Sequence, residues 1–229
     1  MLAILMLISA NAHGDDSWQS LVDDAFGRIE RDLKTDWSYT ETTVNSEGTF
    51  VARFDPRNDI PWHLVSVDGR EPTANEINAF LEERAGSEGS GDGDAGSIVA
   101  DGSLELLEET DRYWRFAFKP DADDDEAAFM QSVEGSLTVS KDGDYVSQVS
   151  LKNTGPIKPG KGVKIKKFET LLEFAPTGAD GQVLPRRIAV EIRGRALLVV
   201  GIDEKESIEF GDYEWVGAKD SARTQPAHP

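Results

Sequence analysis

Alternation of apolar and polar residues dominates the stretch from Val133 to Phe210. Short alternating runs rich in β-branched residues follow one another there, and tight turns such as Lys141–Asp144 separate them. A period of two predicts strands, and Asp-Gly turns predict that neighbouring strands pair as antiparallel hairpins. We therefore expect a meander of strands over this stretch, with a break at Gly194. The predicted strands are 136–140, 145–151, 164–174, 186–192 and 196–202.

The preceding part of the chain adds two helices. Apolar residues recur at helical spacing from Trp18 to Leu33, and Asp15 or Asp16 is in position to cap the resulting helix. Thr73 and Glu76 form a capping box, which predicts a second, shorter helix. Each helix carries an apolar stripe that must pack against another element, and the sheet is the simplest partner.

Further strands are predicted on both sides of the second helix. Residues 86–96 consist of Gly, Ser, Asp and Glu with a single Ala, which is typical of a flexible linker. Together the elements predict an α+β fold: a strongly bent antiparallel sheet, or unclosed β-barrel, with two helices covering the concave face. The additional strands are Trp37–Thr42, Phe50–Phe54, Pro61–Val67, Leu104–Leu107 and Tyr113–Lys119.

The alternation also places a set of apolar residues on one face of each strand. Because an antiparallel sheet with one solvated face turns its apolar face inward, we expect all of them on the same concave side. Two short helices are too small to fill the bowl of a strongly bent sheet, so an apolar cavity is expected beneath them. A fully packed core is the alternative. The predicted cavity residues are Trp37, Tyr39, Phe50, Phe54, Trp114, Phe116, Phe118, Phe168, Leu172, Phe174, Ile188, Val190 and Ile192.

Charge narrows the classes of partner. The formal net charge is −19 and the sequence pI is about 4.5, which argues against a nucleic-acid binder because such proteins need cations for phosphates. One segment, 152–167, is locally basic: it holds six lysines and no acid. Such lysines protect strand edges from aggregation, or they attract anionic lipid headgroups or an acidic partner, and both interpretations stay open. The docking candidates are Lys158, Lys161, Lys164 and Lys166.

The N-terminus resembles a secretory signal. Residues 2–8 are an apolar run far too short to span a membrane, and Ala10 and Ala12 match the small-residue cleavage pattern. No Lys or Arg precedes the run, so either the true start lies upstream or this stretch is a buried N-terminal strand. The predicted organisation is a signal peptide at 1–12, a single domain at 13–216 and a disordered tail at 217–229. Without cysteine, no lipid anchor on a mature N-terminal cysteine is expected.

Candidate chemistry is sparse. The three histidines are His13, His63 and His228, and no second histidine lies at metal-ligand spacing from any of them. The acidic stretch at 92–103 lacks the ligand pattern of a calcium-binding EF-hand loop. The sequence therefore predicts a protein that is not an enzyme, with no catalytic residues, no metal and no cofactor.

The order of elements resembles the bacterial periplasmic lipoprotein-carrier (LolA/LolB-like) half-barrel superfamily. The resemblance rests on Trp37-x-Tyr39-x-x-x-Thr43, Asp55-Pro56, Val67-Asp68-Gly69 and the late hairpin segment Val183–Ile188. It implies an unclosed β-barrel that encloses an apolar cavity for acyl chains, with the two helices as its lid. The sorting chaperone of that family tethers its lid through an arginine. Arg53 and Arg57 are equal candidates here, so neither is assigned.

The function expected from this resemblance is non-enzymatic. The protein would be periplasmic, exported and unanchored, and would bind a lipid or acylated peptide, as in outer-membrane lipoprotein sorting. The expected partners are a lipid or acylated protein, an envelope protein and a peripheral membrane surface, with the chain itself a monomer. The alternative is a protein-interaction or regulatory module, like the half-barrel domains of periplasmic stress sensors.

Overall fold

A computed structural model describes residues 15–30, 33–87, 98–122, 127–160, 162–177, 181–196 and 200–217. The predicted signal peptide, residues 88–96 of the predicted linker and residues 218–229 of the predicted tail lie outside these ranges.

Four helices and ten strands make up the described chain. The helices are α1 (Asp15–Phe26), α2 (Leu33–Asp36), α3 (Ala74–Ser87) and α4 (Ala127–Met130). The strands are β1 (Trp37–Asn45), β2 (Gly48–Phe54), β3 (Trp62–Val67), β4 (Glu105–Glu109), β5 (Tyr113–Phe118), β6 (Val133–Ser140), β7 (Tyr145–Asn153), β8 (Val163–Thr177), β9 (Gln182–Ala196) and β10 (Val200–Trp215).

All ten strands form one open antiparallel sheet in the order β3-β2-β1-β10-β9-β8-β7-β6-β5-β4. Neighbours in the sheet are neighbours in the chain, except that β10 pairs with β1 and so joins the last strand to the first hairpin. The strands β3 and β4 are the two edges, and the sheet does not close. The predicted α+β class with an open antiparallel sheet is confirmed.

The register aligns one row of side chains across the whole sheet. Residues directly opposite each other in an antiparallel pair project to the same side, so this row, which we call the apolar row, defines one face. We call that side the apolar face and the other side the polar face. The apolar row is Leu106, Phe116, Leu137, Val149, Leu172, Ile188, Ile208, Thr43, Phe50 and Val67.

The polar face of the central strands carries a network of ion pairs. Lys167 of β8 contacts Glu191 of β9 at 2.8 Å, and Arg193 contacts Glu191 at 3.1 Å and Asp203 of β10 at 3.2 Å. Charged side chains on one side and aliphatic ones on the other show that water bathes the polar face.

Two hydrophobic clusters lie along the sheet. In the first, Val22 and Phe26 of α1 pack with buried residues of β5, β6 and β7, and the Trp18 ring meets the Phe116 ring at 5.3 Å. The second cluster centres on Trp37, Tyr39, Phe54 and Leu184, and draws on β1, β2, β9 and β10.

The capping box is confirmed, whereas the predicted extent of the first helix and the predicted strand break at Gly194 are wrong. The Thr73 N–H donates to Glu76 Oε2 at 2.7 Å, and the Glu76 N–H donates to Thr73 Oγ1 at 3.4 Å. The first helix ends at Phe26 and does not reach Leu33, because Gly27 follows and Ile29 instead bridges to Val183. Strand β9 runs through Gly194 without a break.

Gly194 allows the backbones of β8 and β9 to approach each other closely. A Cβ at this position would lie 2.5 Å from the carbonyl oxygen of Lys164, where β8 carries a bulge opposite β9. A glycine inside a strand therefore marks a close backbone approach here and not a strand end.

Candidate apolar binding face

The register places all thirteen predicted cavity residues on the apolar face. Phe116 and Leu172 belong to the apolar row itself, and so do Ile188 and Phe50. The others follow by alternation or by direct pairing, as with Tyr39 opposite Phe54. The bulge between β1 and β10 falls at Asp212, which has a positive φ of 49°, so the alternation along β1 is undisturbed.

The two ends of this face are deeply buried. Phe116 is 0% exposed and Phe118 is 3% exposed on the side of α1. On the side of α3, Trp37 and Tyr39 are each 4% exposed and Phe54 is 5% exposed. These predicted cavity residues form packed clusters in the described structure.

The centre of the face is different. There the aliphatic and aromatic side chains are only half-buried, although their strands lie in the middle of the sheet. Phe168, Leu172 and Ile192 adjoin the first cluster, and the Phe129 ring of α4 meets the Phe168 ring at 5.1 Å. We call this group the central strip. It comprises Phe168 and Leu172 of β8, Ile188, Val190 and Ile192 of β9, and Ile208 of β10.

Polar side chains border the central strip on β10. Glu206 lies directly opposite Val190, and Glu204 lies directly opposite Ile192. Asn45 of β1 donates a hydrogen bond to Glu206 Oε2 at 3.4 Å. An apolar strip beside carboxylates suits an amphiphilic ligand whose polar end can donate hydrogen bonds.

A buried ion pair joins α3 to the sheet. The Arg84 guanidinium pairs with the carboxylate of Glu41, whose side chain is only 4% exposed on the apolar face. The same guanidinium lies 4.3 Å from the centroid of the Trp62 ring and 5.1 Å from that of Phe80. Sequence reasoning missed this pair. An acid at an inward position of the alternation Trp37, Tyr39, Glu41 was the available signal.

Two tyrosines share this buried environment. Burial raises the pKa of the Tyr39 hydroxyl above its ordinary value, and the Glu41 carboxylate raises it further. Burial likewise raises the pKa of Tyr213, whose hydroxyl donates to the Pro185 carbonyl at 2.6 Å. Both phenols therefore stay protonated at neutral pH and do not act as bases.

The arginines considered as lid tethers have other partners. Arg57 binds Asp55 at 2.7 Å, and this bond lowers the pKa of Asp55 to about 2. Arg53 contacts Glu214 of β10 at 3.4 Å. The arginine that links a helix to the sheet is Arg84.

The described residues offer little for catalysis. His63 is exposed on the edge strand β3. Within the described ranges, no group of three or more His, Cys, Asp or Glu residues is placed to hold a metal ion.

The basic candidates fall at one end of the sheet. Lys164 and Lys166 lie at the start of β8, and Lys158 is exposed in the segment just before it. Lys161 lies outside the described residues. The structure adds a cation that the sequence did not single out, because Arg195 lies directly opposite Lys164.

A surface cavity of about 180 Å³ lies beside the bulge in β9. Its lining is mostly charged, and Arg187 is fixed there by a hydrogen bond from its Nε to Ser207 Oγ at 3.1 Å. This cavity does not correspond to the predicted apolar one. The lining residues are Glu173, Arg186, Arg187, Glu209 and Phe210.

Comparison with known proteins adds no assignment. No family model and no curated protein matches the chain. Among solved structures, GphF Dehydratase 1 aligns with 88% of this chain and 84% of its own, at 8% identity and a TM-score of 0.17. A variant of that dehydratase for improved crystallization aligns with 86% of this chain and 84% of its own, at 7% identity and a TM-score of 0.15. Likenesses this weak carry no argument.

None of the described helices is both long and apolar enough to cross a membrane.

Proposed function

We propose that this protein is a non-enzymatic, exported carrier or sensor that binds the acyl chain of a lipid or acylated peptide on the central strip. The half-buried state of the strip, which adjoins the first hydrophobic cluster on the same face, is the observation that carries the proposal. Half-buried apolar residues in the middle of a sheet leave area that a ligand can remove from water.

The finer architecture belongs to the same proposal. In this account the sheet bends around the apolar face, and α1 and α3 cover the two ends of its concave side as lids. The Trp18–Phe116 contact supports the first lid, and the Arg84–Glu41 pair supports the second. In this proposal the arrangement corresponds to the half-barrel of the lipoprotein-carrier superfamily, and the protein acts in the periplasm.

The carboxylates that border the central strip indicate which polar group the ligand carries. Glu204 and Glu206 place carboxylates beside the apolar side chains, so a free fatty acid brings like charge against them. An acylated peptide with a hydrogen-bond donor or a cation next to its acyl chain meets the same carboxylates favourably. We therefore favour the acylated peptide over the free fatty acid.

A fluorescent apolar probe tests the proposal. The probe is expected to bind the folded protein with micromolar affinity, and an acylated lysine peptide is expected to displace it better than a fatty acid of equal length. Ile188→Gln puts an amide into the central strip and is expected to weaken binding about tenfold.

Ala189→Gln is the matched control. Ala189 is the next residue of β9 and lies on the polar face, opposite Leu171 and Ser207. The same amide there should leave probe binding unchanged. Failure of the wild-type protein to bind the probe, or equal loss in the two variants, would contradict the proposal.

A protein-interaction module remains the second candidate. The edge strand β4 favours it, since Leu107 is 51% exposed on a strand that pairs on one side only. An unpaired edge with an exposed apolar residue is a template for strand addition by a partner. If the probe does not bind, capture of an envelope partner that is lost in Leu107→Pro would favour this function.

A further inference from the structure

We propose that one end of the sheet docks on the surface of an anionic membrane. This surface, which we call the basic end, lies where β8 begins, β9 ends and β10 begins. It comprises Lys158, Lys164, Lys166, Arg195 and the exposed Val200. The inference is independent of whether the central strip holds an acyl chain.

At the basic end, the last row of side chains on the polar face that carries charge contains two cations and no acid. Lys164, Arg195 and Gly201 lie opposite one another on β8, β9 and β10. Two cations directly opposite each other destabilise a sheet, and no carboxylate of the described residues pairs with either. A repulsive pair kept without a counter-charge points to an external anion.

The neighbouring rows show that this imbalance is local. In the next row Lys167 and Arg193 lie opposite Asp203, and in the row after it Glu169 and Glu191 lie opposite Lys205. These six side chains carry three positive and three negative charges. Lys167 contacts Glu191, and Arg193 contacts Glu191 and Asp203, so the excess positive charge is confined to the terminal row.

Edge protection does not account for these lysines. The edges of the sheet are β3 and β4, whereas β8 lies between β7 and β9. Beyond the end of its pairing with β7, β8 is bridged at Ile165 by Ile157. Lys158 and Lys166 are nevertheless exposed, and they add to the charge of Lys164 and Arg195.

An apolar residue lies at the same end of the sheet, on the face opposite to Lys164 and Arg195. Val200 is 54% exposed at the start of β10, opposite Ala196 of β9, which in turn lies opposite Val163 of β8. Cations that reach lipid phosphates, at the same sheet end as an apolar side chain that enters the interface, are features of peripheral membrane binding. In a chain of net charge −19, only such a local positive surface approaches an anionic bilayer favourably.

Vesicle flotation with the full chain tests the docking surface. The wild-type protein should float with vesicles that contain phosphatidylglycerol and remain behind with vesicles of phosphatidylcholine alone. Binding should weaken as salt rises, because exposed charges are screened. The double variant Lys164→Glu/Arg195→Glu should bind the anionic vesicles at least about tenfold less well.

The matched control is Lys34→Glu/Arg112→Glu. Both residues are exposed, on α2 and on the turn after β4, and the change in net charge is the same. This control should retain most of the binding. Equal loss in the two double variants would show a response to net charge alone and would overturn the proposal, as would absence of wild-type binding at low salt.

Val200→Ser separates the apolar contribution. It should lower binding to anionic vesicles several-fold while leaving the salt dependence as in wild type, because the number of cations is unchanged. Unaltered binding in this variant would overturn the role of Val200. Val200→Ser should leave binding of the apolar probe unchanged, since Val200 is not part of the central strip. The two proposals therefore fail independently.

Discussion

The guanidinium of Arg84 and the carboxylate of Glu41 form a buried ion pair between residues 43 positions apart in the sequence. Glu41 lies on the apolar face of β1, and Arg84 reaches it from α3 across the Trp62 ring. The pair fixes α3 over β3 through charge and stacking together, so its loss should be felt in the second hydrophobic cluster.

Replacing Arg84 alone should be costly. Arg84→Met leaves Glu41 buried without its counter-charge and should lower the free energy of unfolding by about 2 kcal/mol. Removing both charges, as Glu41→Gln/Arg84→Met, should restore part of that loss. Urea denaturation of the two single variants and the double variant gives the coupling, and additive effects would show that the pair contributes nothing.

Gly135 should tolerate no side chain. A Cβ there would lie 2.2 Å from the Phe118 ring, which crosses the glycine on the neighbouring strand. Gly135→Ala should therefore lower the free energy of unfolding by about 1–3 kcal/mol. Adding Phe118→Leu removes the clash, so denaturant melts should show a smaller cost for the alanine in that background; an equal cost would refute the steric explanation.

The stability of the fold should depend on pH through Glu76 at the N-terminus of α3. A hydrogen bond from Arg70, followed by bonds from the Thr73 N–H and hydroxyl, lowers the pKa of Glu76 from 4.5 to about 2. A lowered carboxyl pKa stabilises the fold above the unfolded value, and the contribution is lost as the pH falls through the folded value.

Glu76→Gln isolates this effect, since glutamine retains hydrogen bonding within the capping box. The wild-type protein should be the more stable of the two above about pH 4.5, and the difference should shrink toward zero near pH 2. Thermal melts of both proteins across this range measure it. A difference that stays constant with pH would contradict the assigned cause.

The positive charge of Lys164 should lower the free energy of unfolding, because Lys164 lies directly opposite Arg195. Lys164→Glu replaces a like-charge neighbour of Arg195 with an opposite charge and should raise the free energy of unfolding by about 0.5 kcal/mol. Vesicle binding should fall in the same variant. If stability drops instead, the two cations are not repelling each other in the folded protein.

Much of the sheet is predictable because alternation is a local signal. The runs around Trp37, Phe50 and Trp114 each show a period of two, and their strands form where expected. The capping box at Thr73 is equally local, and α3 begins right after it. The shared face of the thirteen apolar residues follows from the same periodicity once neighbouring strands pair in register.

Other features depend on contacts that no local window contains. The pairing of β10 with β1 joins distant parts of the chain, and so do the Glu41–Arg84 pair and the meeting of Lys164 with Arg195. The expected strand break at Gly194 is wrong because glycine marks both strand breaks and close backbone approaches. Only the 2.5 Å spacing to the Lys164 carbonyl distinguishes the two.

The most direct test of acyl-chain binding is a spin-labelled fatty acyl peptide observed by methyl NMR. The account predicts strong broadening of the Ile188, Val190 and Ile192 methyl signals. It predicts little change for Val44 and Val65, which are 48% and 46% exposed and lie outside the central strip. Broadening that spares the central strip, or that follows exposure alone and affects Val44 and Val65 most, would contradict it.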